Sequence, residues 1–246
     1  MKKCRLAGIL LRSLLIQSSF NFWRMQNLGF AFSLIPLLRQ QENKGHDAST
    51  LLTKHLQMFN THPYFSAPIL GSVVKLEEST ADGQPAEKAA SLKCSLMGPY
   101  AALGDSFFWG SLRPFSAIAA VSLAVCGSPL APVAFLALYS PAHFWIRCRG
   151  FFEGYRRGKQ GVDFIASLGL LTTAKKLRRL SLIVLGMLAA VTAQLICPVM
   201  ATPLDLVIKV VLLLLVILLF LAIRRGFSQV TLLYGMALFF LMFSFL

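Results

Sequence analysis

The chain has 246 residues, 56% of them hydrophobic and 14% charged, with a formal net charge of +14. A soluble domain usually carries about 25% charged residues, so this composition lacks the polar surface of a water-soluble fold. The cations gather beside apolar segments, without a folded basic module or exposed aromatics, which excludes a nucleic-acid partner.

At the N-terminus, Met1-Lys2-Lys3 ahead of Leu6–Leu11 has the outline of a secretory signal. Arg12 interrupts the apolar run, however, and no small-x-small cleavage site follows. Leu10, Leu11, Leu14 and Leu15 repeat at helical spacing among Arg5, Arg12 and Gln17. This spacing predicts an uncleaved amphipathic helix on the inner membrane surface, within residues 1–30. Phe30–Leu38 is apolar but too short to cross a bilayer, and Pro36 is expected to kink or end a helix there. Arg39–Ser49 reads as a loop. Ser49 or Thr50 is expected to cap a helix carrying Leu51, Leu52, His55, Leu56 and Phe59, which Asn60 and Pro63 end. Glu77–Ser91, with Asp82-Gly83-Gln84-Pro85, reads as a second polar loop.

Leu96–Trp145 reads as a pair of interrupted helices, because Phe115–Val125 and Val133–Trp145 are short apolar stretches joined by Cys126-Gly127-Ser128-Pro129. Such segments suit re-entrant or buried elements, and Gly/Pro-broken helices often line transporter sites. A tilted hairpin with a plain turn fits the same residues. Between Arg147 and Arg179, nine cations face only Glu153 and Asp163. Positive segments stay in the cytoplasm, so the next span is expected to run outward and the C-terminus to lie outside. Gly154–Gly161 resembles a phosphate loop but lacks the G-K-[ST] ending, and reads as a cytoplasmic turn. Leu180–Met200, Leu206–Ile223 and Phe227–Leu246 each reach roughly the length a membrane helix needs. Ala201-Thr202-Pro203 and Arg224-Arg225-Gly226 separate them. The expected fold is thus an all-α integral membrane protein. Residues 1–30 form the interfacial helix, 31–179 a core with re-entrant helices and cytoplasmic loops, and 180–246 about three transmembrane helices.

Five scattered cysteines contain no C-x-x-C pair, and the four histidines no i, i+4 pair suited to a metal. No metal and no cofactor is expected. Three clusters place polar groups inside apolar surroundings: Trp23–Phe30 with Gln26 and Asn27, Phe59–Pro63 with Asn60, Thr61 and His62, and Met97–Gly110 with Asp105 and Trp109. An acid in an apolar stretch usually faces a polar cavity. The Asp105 carboxylate can accept hydrogen bonds from two sugar hydroxyls, while Trp109 or Phe108 covers the sugar's apolar face. Equally, Asp105 or Ser106 can cap a helix after Gly104. Asn60, Thr61 and His62 offer amide, hydroxyl and imidazole to a polyol, or simply end one helix and start the next.

Asn21–Phe30, Phe59–Pro63, Ala67–Gly71 and the run Leu96–Pro99, Gly104–Gly110, Arg113-Pro114 follow one another as in the IID component of the mannose/fructose/sorbose phosphotransferase family, which this chain resembles across residues 11–165. Gly150–Tyr155 with Gly158 resembles that family's next block. The resemblance implies a bacterial inner-membrane, multi-pass subunit that is not itself phosphorylated and is no enzyme on its own. It would pair with a IIC membrane subunit, in a trimer of IIC–IID protomers, for hexose uptake coupled to phosphorylation by soluble IIA and IIB. Gln26, Asn27, Asn60, Thr61, His62, Asp105 and Trp109 would then lie near the sugar path or the IIC interface. Trp23 stands where that family commonly has an acid, Tyr139-Ser140-Pro141 where an asparagine is usual, and the region after Leu171 looks shortened. These departures leave open a non-transporting paralogue that scaffolds or regulates the system. A third reading is a stand-alone membrane enzyme using Asp105 and His62.

Overall fold

A computed structural model of the protein describes residues 1–45, 47–80, 87–196 and 203–244. Among these the regular structure is helical, with extended pairing limited to the isolated bridges Asn21–Met25 and Met25–Phe59. The chain divides into two compact units, Met1–Leu188 and Ala189–Leu246.

In the first unit, α1 (Lys3–Ser13) lies on α2 (Asn27–Glu42) and also touches α4 (Ser66–Thr80) and α7 (Ala131–Arg157). The buried side of α1 is Leu6, Ile9 and Ser13, joined by Ile16 beyond its end. Leu11, Leu14 and Leu15 are exposed instead. The helix is therefore two-faced in a stronger sense than its charge pattern implied: one apolar stripe packs on protein, and another stays uncovered.

Pro36 does not end α2, which continues to Glu42. Proline in a helix interior costs ~3 kcal/mol, yet Phe30, Leu34 and Leu37 are almost wholly buried at about 1.5–3 kcal/mol each. Packing outweighs the lost hydrogen bond. The polar Arg39–Ser49 stretch is correspondingly shorter as a loop, and α3 (Ala48–His55) is capped by Asp47, whose carboxylate accepts from the Ser49 amide at 2.9 Å. Neither Ser49 nor Thr50 is the cap. Helix α3 also stops at His55, short of Asn60. Helix α4 carries Glu77 to Thr80 into what reads as loop, and Asp82-Gly83-Gln84-Pro85 lies outside the described residues.

The middle of the chain departs most from expectation. Helix α5 (Glu87–Gly104), a π-helical segment (Asp105–Leu112) and α6 (Arg113–Val125) run on without a break. The short apolar stretches are parts of longer helices, because Pro99 sits inside α5 and Pro114 in the first turn of α6. Because α6 continues straight from the π-helical segment, Pro114 too is an interior proline that the helix accommodates. Likewise α7 spans 27 residues through Pro141, from Ala131 to Arg157. The turn between the two, at Cys126–Leu130, is where the sequence puts it.

Among the described residues, helices α4 and α7 share the most extensive contact in the unit. A Cβ on Gly71 would lie 2.1 Å from the Phe151 carbonyl oxygen, and one on Gly154 2.4 Å from the Pro68 carbonyl. Gly150 and Gly154 are spaced as in small-xxx-small helix contacts, which bring backbones together. Around them Ile69, Leu70, Val73, Val74 and Phe151 are fully buried.

The cation-rich stretch is helical too. It comprises the end of α7, a 3₁₀ turn (Gly158–Gln160), α8 (Gly161–Ser167) and the start of α9 (Leu170–Ile196). Its charges are partly spent within the protein. Arg149 and Arg157 approach the buried Glu153 at 3.1 and 2.8 Å. Arg178 donates to Ser111 Oγ and Ser106 Oγ, both at 2.9 Å, and to the Gly110 and Ser106 carbonyls at 3.2 Å. It thus ties α9 to the π-helical segment.

The second unit holds the end of α9, α10 (Pro203–Arg224) and α11 (Gln229–Ser244). The turn between α10 and α11 falls at Arg225 and Gly226, where the backbone takes φ +92° at the glycine. Val207, Val211, Leu213, Leu218, Leu233 and Leu238 are all exposed. Helices apolar on every side belong in lipid or in a large core. By length and composition, two stretches among the described residues suffice to cross a membrane: Lys88–Val125 and Asp163–Gln194.

Candidate functional site

The three polar segments singled out in the sequence meet in the first unit, through Gln26 with Thr61, Thr61 with Met97 and His62 with Trp109. The chain enters it through a tight loop, in which Asn21 and Met25 exchange backbone hydrogen bonds at 3.0 and 2.9 Å and Met25 takes φ +57°. Phe22 and Trp23 stand at its tip, each 88% exposed. With no acid at Trp23, Arg24 turns instead to the Leu56 carbonyl at 3.3 Å.

Gln26 then makes a two-way amide pairing. Its Nε2 donates to the Thr61 carbonyl at 2.8 Å, and its Oε1 accepts from the Thr61 amide at 3.2 Å. Asn27 Nδ2 donates to the Leu56 carbonyl at 2.8 Å while its Oδ1 accepts from Asn21 Nδ2, also at 2.8 Å. Thr61 Oγ1 donates to the Met97 carbonyl of α5 at 3.1 Å. These three buried residues join the two loops and α5 into one frame, since nearly every buried polar group must find a partner.

His62 is buried against the π-helical segment. Its ring stacks on Phe108 at 5.3 Å, with Trp109 at 4.8 Å and Tyr64 at 4.9 Å. A Cβ on Gly104 would fall 2.2 Å from His62 Cγ, so only glycine leaves room for this ring. The Tyr64 amide donates to Nδ1 at 3.3 Å. That assigns the proton of the neutral ring to Nε2, which is buried and without a partner.

Burial, reinforced by the charge of Arg147, pushes the His62 pKa from 6.5 down to about 4. A depressed histidine pKa means that the unfolded chain takes up a proton the folded chain refuses. Between pH 6.5 and 4 stability should therefore fall as pH falls, by on the order of 3 kcal/mol for this group, and level off below. Thermal unfolding of the parent and of His62→Phe across that window checks this. The expected outcome is a shallower pH slope in the variant.

Three candidates remain accessible. Asn60 is exposed, with its backbone amide donating to Met97 Sδ at 3.4 Å. Trp109 is 47% exposed, and Asp105 is exposed. Asp105 caps nothing. The chain is already helical at Gly104, with φ −64° and ψ −46°, and continues into the π-helical segment without a side-chain cap. The capping role proposed for Asp105 or Ser106 is overturned by that continuity.

Beside His62 opens a cavity of about 380 Å³ walled by Trp109, Tyr64, Tyr139, Gln17, Arg113 and Arg147. Tyr64 and Tyr139 share a hydrogen bond at 3.0 Å. Of the sequence candidates only Trp109 lines it. Arg147 and Tyr64 were not among the candidates, although an arginine directly after the apolar Phe144-Trp145-Ile146 was a signal that could have found the first. Tyr139 stood out only as a departure from the resembled family.

The family model of the PTS system mannose/fructose/sorbose family IID component matches residues 1–246. The mannose-specific EIID component of Escherichia coli (strain K12) is 39% identical over 165 residues, 66% of this chain and 57% of that protein. The sorbose-specific EIID component of Klebsiella pneumoniae is 34% identical over 67% of this chain and 60% of its own. The fructose permease IID component of Bacillus subtilis (strain 168) is 32% identical over 76% of this chain and 69% of its own. The chain thus spans less than two thirds of the length of the mannose- and sorbose-specific relatives. Among solved structures, one described as a membrane protein superposes with TM-score 0.70 at 28% identity, covering 96% of this chain and 94% of that one. The mannose transporter ManYZ in complex with microcin E492 (MceA) superposes with TM-score 0.62 at 28% identity, covering 97% and 94%.

Proposed function

Because the chain belongs to the mannose/fructose/sorbose family of PTS IID components, we propose that it forms, with a IIC membrane subunit, the translocation unit for a hexose. Uptake is coupled to phosphorylation by soluble IIA and IIB, and the IIC–IID protomers assemble as trimers in the bacterial inner membrane. The chain itself carries no phosphorylated residue. The observation that supports this reading most is the convergence of three separated polar segments on one accessible corner. There Gln26, Asn27, Thr61 and His62 form the frame, and Asn60, Asp105 and Trp109 remain accessible to sugar or IIC. An exposed indole, an exposed amide and an exposed carboxylate on these segments suit a sugar, whose faces are apolar and whose rim is hydroxylated.

In this reading α9, α10 and α11 cross the membrane, with Arg147–Arg179 in the cytoplasm and the C-terminus outside. A second reading, a non-transporting paralogue that scaffolds the system, draws support from the same frame. The polar atoms of Gln26 are spent on Thr61 rather than offered to a ligand.

Phosphoenolpyruvate-dependent uptake of a hexose panel, in cells expressing the chain with IIC, IIA and IIB, separates the two. Transport predicts uptake that falls roughly ten- to a hundredfold in apparent affinity for Asp105→Asn, the loss of one charge-assisted hydrogen bond. Since Asp105 caps no helix, the IIC complex should still assemble. Wild-type uptake in that variant would remove Asp105 from the sugar path, and no uptake by the parent would favour the scaffold.

A further inference from the structure

Arg147 is only 6% exposed. Among the described residues its one hydrogen bond runs from Nη1 to the Ser13 carbonyl, at 3.3 Å. Its Nε is buried with no partner, and the guanidinium lies 5.1 Å from the centre of the Tyr64 ring. No carboxylate pairs with it among the described residues. The nearest acid in sequence, Glu153, serves Arg149, Arg156 and Arg157. An arginine cannot shed its proton, and a buried charge without a counter-charge is strongly unfavourable. One carbonyl and one aromatic face leave most of the guanidinium unsatisfied, and an anion would satisfy it.

The route is the 380 Å³ cavity, into which Arg147 and Arg113 both project and which no acid lines. We propose that this cavity binds a phosphate group, held between the Arg147 and Arg113 guanidinium groups. Phosphate fits better than a single carboxylate because two planar forks and a hydroxyl must be satisfied together. Tyr64 and Tyr139 spend one hydroxyl proton between them and keep the other to donate to the bound oxygen. Gln17 adds an amide. Leu14, Ile16, Pro63 and Phe135, on the apolar part of the wall, accommodate whatever carbon skeleton carries the phosphate. The site adjoins the Asn60–Asp105 corner through Trp109, which belongs to both, but it stands whether or not the chain transports sugar.

Two sources share this chemistry: an anionic phospholipid headgroup and a soluble phosphate ester. Both are probed on the purified full-length chain. Native mass spectrometry after transfer from nanodiscs containing phosphatidylglycerol or phosphatidylcholine alone counts retained lipid. Thermal shift with inorganic phosphate and glycerol 3-phosphate reads the soluble arm. Arg113→Gln, an exposed position whose loss leaves the fold intact, and Arg147→Lys, which keeps the charge but not the fork, should each weaken binding at least about tenfold. Selective retention of phosphatidylglycerol, lost in the variants, assigns a lipid. Stabilisation by the soluble phosphates alone, equally dependent on the arginines, assigns a soluble ester. Binding that both variants leave unchanged, or no binding of any probe, overturns the proposal, and Arg147 then answers to a carboxylate from a partner subunit.

Discussion

Replacing Gly71 by alanine is expected to destabilise the protein by about 3 kcal/mol, the upper end of what overpacking usually costs. For a domain of this size that is on the order of 10 °C in melting temperature. The added methyl would sit 2.1 Å from the Phe151 carbonyl oxygen and 3.0 Å from the Tyr155 amide nitrogen. Both obstacles are helix backbone, so no rotamer change relieves them. Helices α4 and α7 must part, and the fully buried Ile69, Leu70, Val73, Val74 and Phe151 lose contact together. Gly98→Ala is the control, because nothing lies within 4 Å of its Cβ position. Scanning fluorimetry of both variants in the same detergent checks the contrast, and equal melting temperatures would refute the close α4–α7 contact.

Gln26→Leu should have the second large effect. It removes an acceptor from the Thr61 amide and a donor from the Thr61 carbonyl in a buried place. Each stranded group costs about 1–3 kcal/mol, so a loss of roughly 2–6 kcal/mol is expected. Gln26→Glu keeps the acceptor but sets a carboxylate oxygen against the Thr61 carbonyl, and should fare little better. If Gln26 served sugar instead, both variants would keep the parent's melting temperature and lose uptake alone. The measurement is therefore melting temperature beside uptake, on the same preparations.

Much of this frame could be read from the residues. Composition alone placed the chain in a membrane, and the polar clusters at Gln26, Asn60–His62 and Asp105–Trp109 do meet in space. What failed was the expectation that Pro36 disrupts its helix and that Phe115–Val125 and Val133–Trp145 stay short. Pro36 lies within α2, where its buried neighbours outweigh the local penalty, and the two apolar runs are parts of longer helices that continue through Pro99 and Pro141. Asp105 differs from expectation for a related reason. Gly104-Asp105 looks like a stop followed by a cap, but the glycine is there to admit the His62 ring, a contact 42 positions away that no local pattern displays. The number of cations in Arg147–Arg179 marks topology, but it cannot separate Arg147, buried beside a cavity, from Lys175, exposed on α9. Gly150 and Gly154 belonged to a noticed motif, yet only the position of α4 reveals their purpose.

The π-helical segment has a geometric consequence for everything that follows it. An α-helix turns about 100° per residue, and a π turn lodges an extra residue in the same coil. Asp105–Leu112 thus acts as a phase setter, fixing the azimuth at which α6 leaves α5. Ser116 and Ala120 reach the buried side of α6 only at that azimuth. Deleting one residue here would return the segment to regular α-helix, whereas deleting one within α6 ahead of Ser116 would rotate everything after it by about 100°. Arg178, clasping Ser106 and Ser111, is the pawl that keeps this ratchet from slipping.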